Sequence, residues 1–117
     1  MTRALCWLCM AGLVACSESG EPGATAESAN HPGAGTYEMF CIACHKLGIS
    51  GAPRTGSAEA WEERASTGVE RLLARTIDGI PPAMPAKGGC LRCSDEQLKA
   101  AIDYMLDQSL VSRPSEE

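Results

Sequence analysis

The stretch Cys41-Ile42-Ala43-Cys44-His45 decides the fold of this chain. Its Cys-x-x-Cys-His spacing is typical of covalent haem attachment, in which two thiols form thioethers with the haem vinyl groups and the next imidazole binds the iron. The two intervening residues let a helical turn present both sulfur atoms to one edge of the porphyrin. Three alternatives stay open on this stretch alone. A zinc site needs a second Cys/His pair, a redox dithiol needs a βαβ setting, and a short pattern can also arise by chance.

The composition of the chain indicates one small domain that lacks bulk for its core. The sequence has 117 residues, and only 4% of them are aromatic. A domain of this size gains roughly 3–5 kcal/mol from its own core and usually needs further support. A haem is large, flat and mostly apolar, so it would supply the missing bulk.

The chain is acidic, with a formal net charge of −5. No basic patch or stripe is visible in the sequence, so nucleic acid is not expected as a partner. An acidic surface favours protein partners with a basic docking patch through long-range steering, although the same charge also serves solubility.

The N-terminus has the pattern of an export signal. Arg3 is followed by an apolar run over residues 4–14, which is far shorter than the ~20 residues of a membrane-spanning helix. The run ends in Leu13-Val14-Ala15-Cys16, which resembles a bacterial lipobox. We therefore predict a signal peptide over residues 1–15 and a lipid on Cys16. An ordinary signal peptide with an incidental cysteine after it is the alternative.

Residues 16–32 contain no large apolar side chain. Such a segment cannot bury a core, so it is predicted to be a flexible tether between the lipid and the domain, with an r.m.s. reach of about 20 Å. His31 is the only histidine besides His45. It is a disfavoured candidate for an iron ligand, because Pro32 and the nearby glycines place it in this linker.

Periodicity and capping residues predict about four short helices in the rest of the chain. The first helix, over residues 33–45, has one predicted buried face, and that face carries both thiols. Its members are Tyr37, Phe40, Cys41 and Cys44. The next helix is predicted over residues 58–65, with Ser57 as its N-cap, and the one after it begins at Val69 and ends at Asp78-Gly79. A capping box at Ser94 and Gln97 begins the last helix, whose apolar stripe consists of Leu98, Ala101, Ile102 and Met105.

Met84 is the predicted sixth ligand of the iron. It lies in the loop Ile80-Pro81-Pro82-Ala83-Met84-Pro85, 39 positions after His45. Proline fixes φ, so this loop would hold the thioether in place, and a soft methionine ligand raises the redox potential. Of the competing methionines, Met39 lies off the haem-binding face and Met105 belongs to the apolar stripe of the last helix.

Cys90 and Cys93 form a second Cys-x-x-Cys, but Ser94 follows it in place of a histidine. It therefore predicts no second haem. A disulfide, half of a metal site and a redox dithiol are the uses that remain, and an exported compartment favours a disulfide.

Two sequence patterns, in the right order, resemble the class I c-type cytochromes. The first pattern is Tyr37-x3-Cys41-x2-Cys44-His45-x2-Gly48-x2-Gly51-Ala52-Pro53. The second pattern, which resembles the cytochrome c5 branch, is Met84-Pro85-x-Lys87-Gly88-Gly89-Cys90-x2-Cys93-Ser94-Asp95. The resemblance covers about residues 33–108. It implies an all-α fold, one covalently bound haem c, and a disulfide between Cys90 and Cys93.

The resemblance also implies roles for residues around the haem. The carbonyl of Pro53 would accept a hydrogen bond from the imidazole of His45 and fix its tautomer. The indole N–H of Trp61 would reach a haem propionate. Arg54 or Arg64 could pair with the same group.

We predict an all-α, class I cytochrome c domain over residues 33–111, followed by a tail over residues 112–117. Because His45 and Met84 would fill both axial positions of the iron, no site is open for a small-molecule substrate. The predicted function is therefore single-electron transfer between redox proteins and not catalysis. The expected location is the periplasmic side of a Gram-negative membrane, through the lipid on Cys16.

Two other functions stay open. A haem-based sensor or binder of a small gas or peroxide would need Met84 to dissociate readily. The second alternative is a haem subunit that is held permanently in a larger oxidoreductase. The long predicted tether argues against it, because a tether favours a mobile domain.

Overall fold

The computed structural model of the chain describes residues 26–110. The predicted signal peptide (1–15), the predicted lipidation site Cys16 and the predicted tail (112–117) lie outside the described residues.

The described part of the chain is built from helices joined by short turns. Helix α1 spans Ala26–Asn30, and α2 begins at Ala34 and ends at His45. Helices α3, α4 and α5 span Ala58–Ser66, Val69–Asp78 and Asp95–Leu110. Two 3₁₀ turns lie at Ile49–Gly51 and Ala86–Gly89. Within residues 26–110 the only β pairing is one isolated bridge between Ile80 and Met84, so the predicted all-α fold is confirmed.

Helix α2 changes its winding before the Cys-x-x-Cys-His stretch. It consists of an α turn at Ala34–Thr36, a π turn at Tyr37–Cys41 and a second α turn at Ile42–His45. The N–H of Ile42 bonds to the carbonyl of Tyr37, five residues back. A π turn inserts an extra residue and rotates the side chains that follow it. The predicted single buried face is therefore divided: Tyr37 is buried, whereas Phe40 and Cys44 are exposed.

The core lies where α2 and α4 pack against α5. The predicted apolar stripe of α5 is buried there, at Leu98, Ala101, Ile102 and Met105. The crossing of α2 and α5 is close at Gly33. A Cβ on Gly33 would lie 1.8 Å from the carbonyl oxygen of Ala100, so only glycine fits at this point.

Side chains cap two helices as the sequence predicts. The Ser57 hydroxyl accepts a hydrogen bond from the N–H of Ala60 at the start of α3. At the start of α5, the Ser94 N–H donates to the Gln97 side chain and the Gln97 N–H donates to the Ser94 hydroxyl. This reciprocal pair is the predicted capping box.

The last part of the predicted tether is folded. Helix α1 lies within the segment assigned to the tether, and Ser28 in it is buried. The Ser28 hydroxyl donates to the Gln108 side chain at 3.1 Å, and His31 lies 3.3 Å from the carboxylate of Asp107. These contacts fix residues 26–31 on α5. The prediction that the segment is free up to residue 32 is therefore wrong for these residues, because it counted apolar side chains and missed polar contacts to a distant helix.

The helices in residues 26–110 are too short or too polar for any of them to cross a membrane.

Candidate haem site

A cavity of about 380 Å³ lies at the centre of the domain, between α2, α3, α4, α5 and the loop that follows α4. Its lining is mostly apolar, and Leu72, Leu98 and Ile102 form part of its wall. The volume is in the range of pockets that bind small organic ligands.

The Cys-x-x-Cys-His stretch lines this cavity. Cys41 is half-buried, Cys44 is exposed and His45 is buried. Neither Cys41 nor Cys44 is in a disulfide. Burial raises the pKa of the Cys41 thiol to about 11, so an unmodified Cys41 would stay protonated at neutral pH. The π turn and the short α turn after it therefore bring two free thiols and one imidazole to the same cavity.

The imidazole of His45 is oriented by a backbone carbonyl. Its Nδ1 lies 2.9 Å from the carbonyl oxygen of Pro53. A carbonyl can only accept, so Nδ1 carries the proton and Nε2 of the neutral ring keeps its lone pair. That is the tautomer a metal ligand needs, and such a partner raises the basicity of the ligating nitrogen. Thr55 closes the same loop through a hydrogen bond from its N–H to the His45 carbonyl at 2.8 Å.

Met84 lines the same cavity and sits in a tightly bonded turn. The Ile80 N–H donates to the Met84 carbonyl at 2.8 Å, and the Met84 N–H donates to the Ile80 carbonyl at 2.9 Å. The peptide bond between Pro81 and Pro82 within this turn is cis. Gly79 precedes the turn at φ 77°, where a Cβ would lie 2.7 Å from the backbone nitrogen of Ala86. Glycine is thus required where the chain leaves α4 and enters the turn.

The other two methionines of the described chain differ from Met84 in position. Met39 is 71% exposed and does not line the cavity. Met105 lines the cavity but is buried in α5, within the core. Met84 is thus the methionine that lines the cavity from a loop and not from the helical core.

Trp61 lines the cavity, and its N–H already has a backbone acceptor. The indole N–H donates to the backbone carbonyl of Arg54 at 2.9 Å. An indole has a single N–H, so the predicted hydrogen bond to a propionate is not available in this arrangement. Trp61 contributes its buried ring instead, with the ring centre 6.0 Å from that of His45.

Of the two arginines that were predicted to pair with the haem, only one lines the cavity. Arg64 lines the cavity and donates from Nη1 to the carbonyl of Ala60 at 2.6 Å, whereas Arg54 does not line the cavity. Arg75 and Lys87 line the cavity as well. Neither residue is predicted at the haem site from the sequence. The spacing of Leu72, Arg75 and Thr76 on α4 could have indicated Arg75, since all three lie on the cavity side.

Cys90 and Cys93 form a disulfide, and both are buried. Lys87 connects the Met84 loop to this disulfide, since its Nζ donates to the carbonyl of Cys93 at 3.1 Å. Within residues 26–110, no group of three or more His, Cys, Asp and Glu side chains is placed to hold a metal ion. The soft and nitrogen donors that line the cavity are thus a pair of thiols, one imidazole and the thioethers of Met84 and Met105. This set fits a metal that arrives with its own planar ring of ligands, as iron does in haem.

An all-α fold around an apolar cavity that carries Cys-x-x-Cys-His defines a covalent haem-binding domain. The family model described as cytochrome c oxidase, cbb3-type, subunit III matches residues 28–105. The chain belongs to the class I c-type cytochromes.

Curated relatives carry the names of small c-type cytochromes. Cytochrome c-555 of Chlorobaculum tepidum is 40% identical over 80 residues, which cover 66% of this chain and 74% of the relative. Cytochrome c5 of Azotobacter vinelandii is 47% identical over 68 residues, or 56% of this chain and 81% of the relative. Cytochrome c5 of Ectopseudomonas mendocina is 49% identical over 67 residues, or 56% of this chain and 76% of the relative.

Two solved structures show the same fold. One is a chain of an electron-transfer complex of nitrite reductase with cytochrome c, with a TM-score of 0.63 and 33% identity. The match covers 67% of this chain and 94% of that chain. The other is a mono-haem ferrocytochrome c from Shewanella putrefaciens, with a TM-score of 0.57, 38% identity and coverage of 61% and 86%.

The family and the relatives establish the cofactor and the broad role of the chain. The cofactor is covalently bound haem c. The chain is an electron carrier and not an enzyme, as its relatives are.

Proposed function

We propose that this chain is a periplasmic, membrane-tethered monohaem cytochrome that carries single electrons between redox proteins. Cys41 and Cys44 would hold the haem through thioethers, and His45 and Met84 would be its axial ligands. The observation that carries the proposal is that these four side chains line one apolar cavity.

The residues around the cavity support rapid and reversible electron exchange. When bound, haem c supplies a one-electron couple between Fe(III) and Fe(II). The Pro53 carbonyl holds the His45 ring in one orientation and tautomer. The buried side chains of Leu98 and Ile102 give the cavity an apolar wall. A site that keeps its geometry needs little rearrangement when its charge changes.

The bonded turn around Met84 supports a carrier over a sensor. A sensor of a small gas or peroxide would need the thioether to leave its place readily. Two backbone hydrogen bonds between Ile80 and Met84 instead hold the turn closed. A permanent subunit of a larger oxidoreductase stays a second candidate.

Replacement of Met84 tests the axial ligand. We expect Met84→Ala to lower the midpoint potential and to let carbon monoxide bind the ferrous protein rapidly, because a soft thioether favours Fe(II) and blocks the sixth position. Equilibrium redox titration and carbon monoxide difference spectra measure these effects.

Two other methionines provide controls for this test. Met39→Ala, at an exposed position outside the cavity, should change neither the potential nor ligand binding. Met105→Ala should lower stability, as a buried truncation does, without opening the iron. An unchanged potential in Met84→Ala would exclude the assignment.

The export route is part of the proposal, and its support is the sequence of residues 1–16. The apolar run and Leu13-Val14-Ala15-Cys16 favour cleavage before Cys16 and a lipid on its sulfur. Mass spectrometry of the mature protein measures cleavage, lipid and haem mass together. A mature chain that begins elsewhere, or that lacks the lipid mass, would refute the anchor while leaving electron transfer unaffected.

Redox proteins are the proposed partners. One matching structure is a complex of nitrite reductase with a cytochrome c, which supports a docking protein of this kind for the present chain. The support for a partner with a basic patch is the net charge of −5.

A further inference from the structure

Lys87 has a backbone conformation that favours glycine. Its φ is 55° and its ψ is 23°, and the two residues that follow, Gly88 and Gly89, also have positive φ. Residues other than glycine rarely adopt this left-handed region, because their Cβ then lies too close to the following carbonyl oxygen. A lysine that is held in such a conformation points to a role for its side chain.

The side chain of Lys87 crosses from the Met84 loop to the disulfide loop (residues 90–93). It lines the haem cavity, and its Nζ donates a hydrogen bond to the carbonyl oxygen of Cys93 at 3.1 Å. The backbone carbonyl of Lys87 accepts a hydrogen bond from the N–H of Cys90 at 3.0 Å. Lys87 is therefore bonded to both cysteines of the disulfide, once through its side chain and once through its backbone.

The loop that Lys87 fastens is the one that carries Met84. The two hydrogen bonds between Ile80 and Met84 close the turn before the thioether. After it, the Gly88 N–H donates to the Pro85 carbonyl at 3.0 Å, and a Cβ on Gly88 would lie 3.9 Å from Cε of Met84. The chain around Lys87 thus lies against the end of the Met84 side chain, and a shift of one would move the other.

We infer that Lys87 is a positioning residue for Met84, which keeps the thioether at the haem site by fastening its loop to the disulfide loop. The hydrogen bond to the Cys93 carbonyl offsets the unfavourable backbone conformation of Lys87, since hydrogen bonds from charged donors are among the stronger ones. Without this bond, the sulfur would leave its place more often. The inference rests on the proposed function, because it takes Met84 as an axial ligand.

Cyanide measures how often the thioether leaves the iron. It binds ferric haem at an open sixth position, so the bond between the Met84 sulfur and iron breaks and a bond between the cyanide carbon and iron forms. At saturating cyanide the observed rate therefore approaches the rate at which Met84 dissociates. Stopped-flow absorbance of the haem-loaded ferric protein records this limiting rate, and redox titration of the same sample records the midpoint potential.

Lys87→Met removes the donor and keeps a long side chain, whereas Lys87→Arg keeps a cationic donor. We expect Lys87→Met to raise the limiting rate roughly tenfold or more and Lys87→Arg to stay within about threefold of the wild type. Lys99→Met is the matched control. Lys99 is partly buried like Lys87, but it pairs with Glu70 and does not line the cavity. The control removes the same charge and should leave the limiting rate unchanged.

Lys87→Gly separates the side chain of Lys87 from its backbone. Glycine adopts the left-handed conformation freely, so relief of strain alone would stabilise the loop and slow dissociation. We expect the limiting rate to rise instead, as in Lys87→Met. In a chain that also carries Cys90→Ala and Cys93→Ala, Lys87→Met should add less than half of its effect on a logarithmic scale. The reason is that the disulfide no longer fixes the carbonyl that Lys87 bonds.

Several results would overturn the inference. A slower or unchanged limiting rate in Lys87→Gly would show that the side chain does not hold the loop, and so would equal effects of Lys87→Met and Lys99→Met. A lower midpoint potential in Lys87→Met with an unchanged limiting rate would assign the charge of Lys87, and not its hydrogen bond, to the haem site. A Met84→Ala protein that binds cyanide no faster than the wild type would instead overturn the axial ligand of the proposed function.

Discussion

Gly33 is the residue on which the crossing of α2 and α5 depends. A Cβ at this position would lie 1.8 Å from the carbonyl oxygen of Ala100. We expect Gly33→Ala to lower the free energy of unfolding by roughly 3 kcal/mol, because two packed helices must separate. Urea denaturation of the haem-loaded protein measures the change.

Gly35 in the same helix is the control for this prediction. It faces open space, with no atom within 4 Å of an added Cβ. Gly35→Ala should therefore be neutral or stabilise by about 0.5–1 kcal/mol through helix propensity. Of the two glycines, only Gly33 lies at the close approach of the helices. Equal losses in the two variants would contradict the assignment.

A substitution of Trp61 tests which acceptor its N–H uses. Its N–H donates to the Arg54 carbonyl, so Trp61→Phe should lower the free energy of unfolding by about 1 kcal/mol or more through the lost hydrogen bond. The midpoint potential and its pH dependence should change little, since the N–H contacts no haem carboxylate. Denaturation and redox titration of the same variant distinguish the two roles. A marked shift of the potential with unchanged stability would restore the propionate contact that the resemblance implies.

The residue types of the site are predictable from the sequence, but their hydrogen-bond partners are only partly so. The carbonyl of Pro53 lies where the resemblance places it, because a few residues of turn connect it to His45. The acceptor for Trp61 is a backbone carbonyl in that same turn. Backbone carbonyls leave no trace in residue identity, so the sequence could not distinguish this acceptor from a haem carboxylate.

At the scale of elements, periodicity predicts the long helices and misses the short one. Helices α4 and α5 have apolar stripes and caps of their own, and both lie where the sequence places them. Helix α1 has five residues and no apolar side chain larger than alanine. An isolated helix of that length is unstable in water. It is held by contacts of Ser28 and His31 to α5, which sequence periodicity does not report.

Hydrogen bonds join the loop that carries the disulfide to the loop that carries Met84. The Lys87 side chain joins them through the Cys93 carbonyl, and the Cys90 N–H donates to the Lys87 carbonyl at 3.0 Å. We expect the double substitution Cys90→Ala and Cys93→Ala to lower the free energy of unfolding by roughly 2 kcal/mol, as the loss of a short closed loop does. Urea denaturation at constant pH measures this loss.

Leu91→Ala is the control within the same loop. Leu91 is 75% exposed, so its truncation should cost less than about 0.5 kcal/mol. A disulfide variant no less stable than Leu91→Ala would mean that the loop keeps its shape without the cross-link.

At the scale of the whole molecule, the sequence does not show which charged side chains meet around the cavity, nor the cavity itself. Arg64, Arg75 and Lys87 belong to α3, α4 and the loop after Met84, and they meet only when these elements fold around the cavity. The net charge of −5 can be counted from the sequence, whereas the lack of Asp and Glu among the described residues that line the cavity appears only in the fold. The low aromatic content of 4% predicted too few large side chains to fill the interior of the domain. The cavity of about 380 Å³ is the part of the interior that side chains leave unfilled.

Folding should therefore depend on the haem. Apolar side chains of α2, α4 and α5 line a cavity of about 380 Å³ instead of packing on one another, so without haem they lose the contacts that a filled core would give them. We expect the double substitution Cys41→Ser and Cys44→Ser, purified without haem, to lose its cooperative thermal transition by circular dichroism. The control is the double substitution Cys90→Ala and Cys93→Ala, which removes two cysteines at the same Cys-x-x-Cys spacing. This variant should keep its haem and its cooperative thermal transition. A sharp transition in the haem-free chain would show instead that helices α2, α4 and α5 close the cavity by themselves, and that haem only occupies a preformed site.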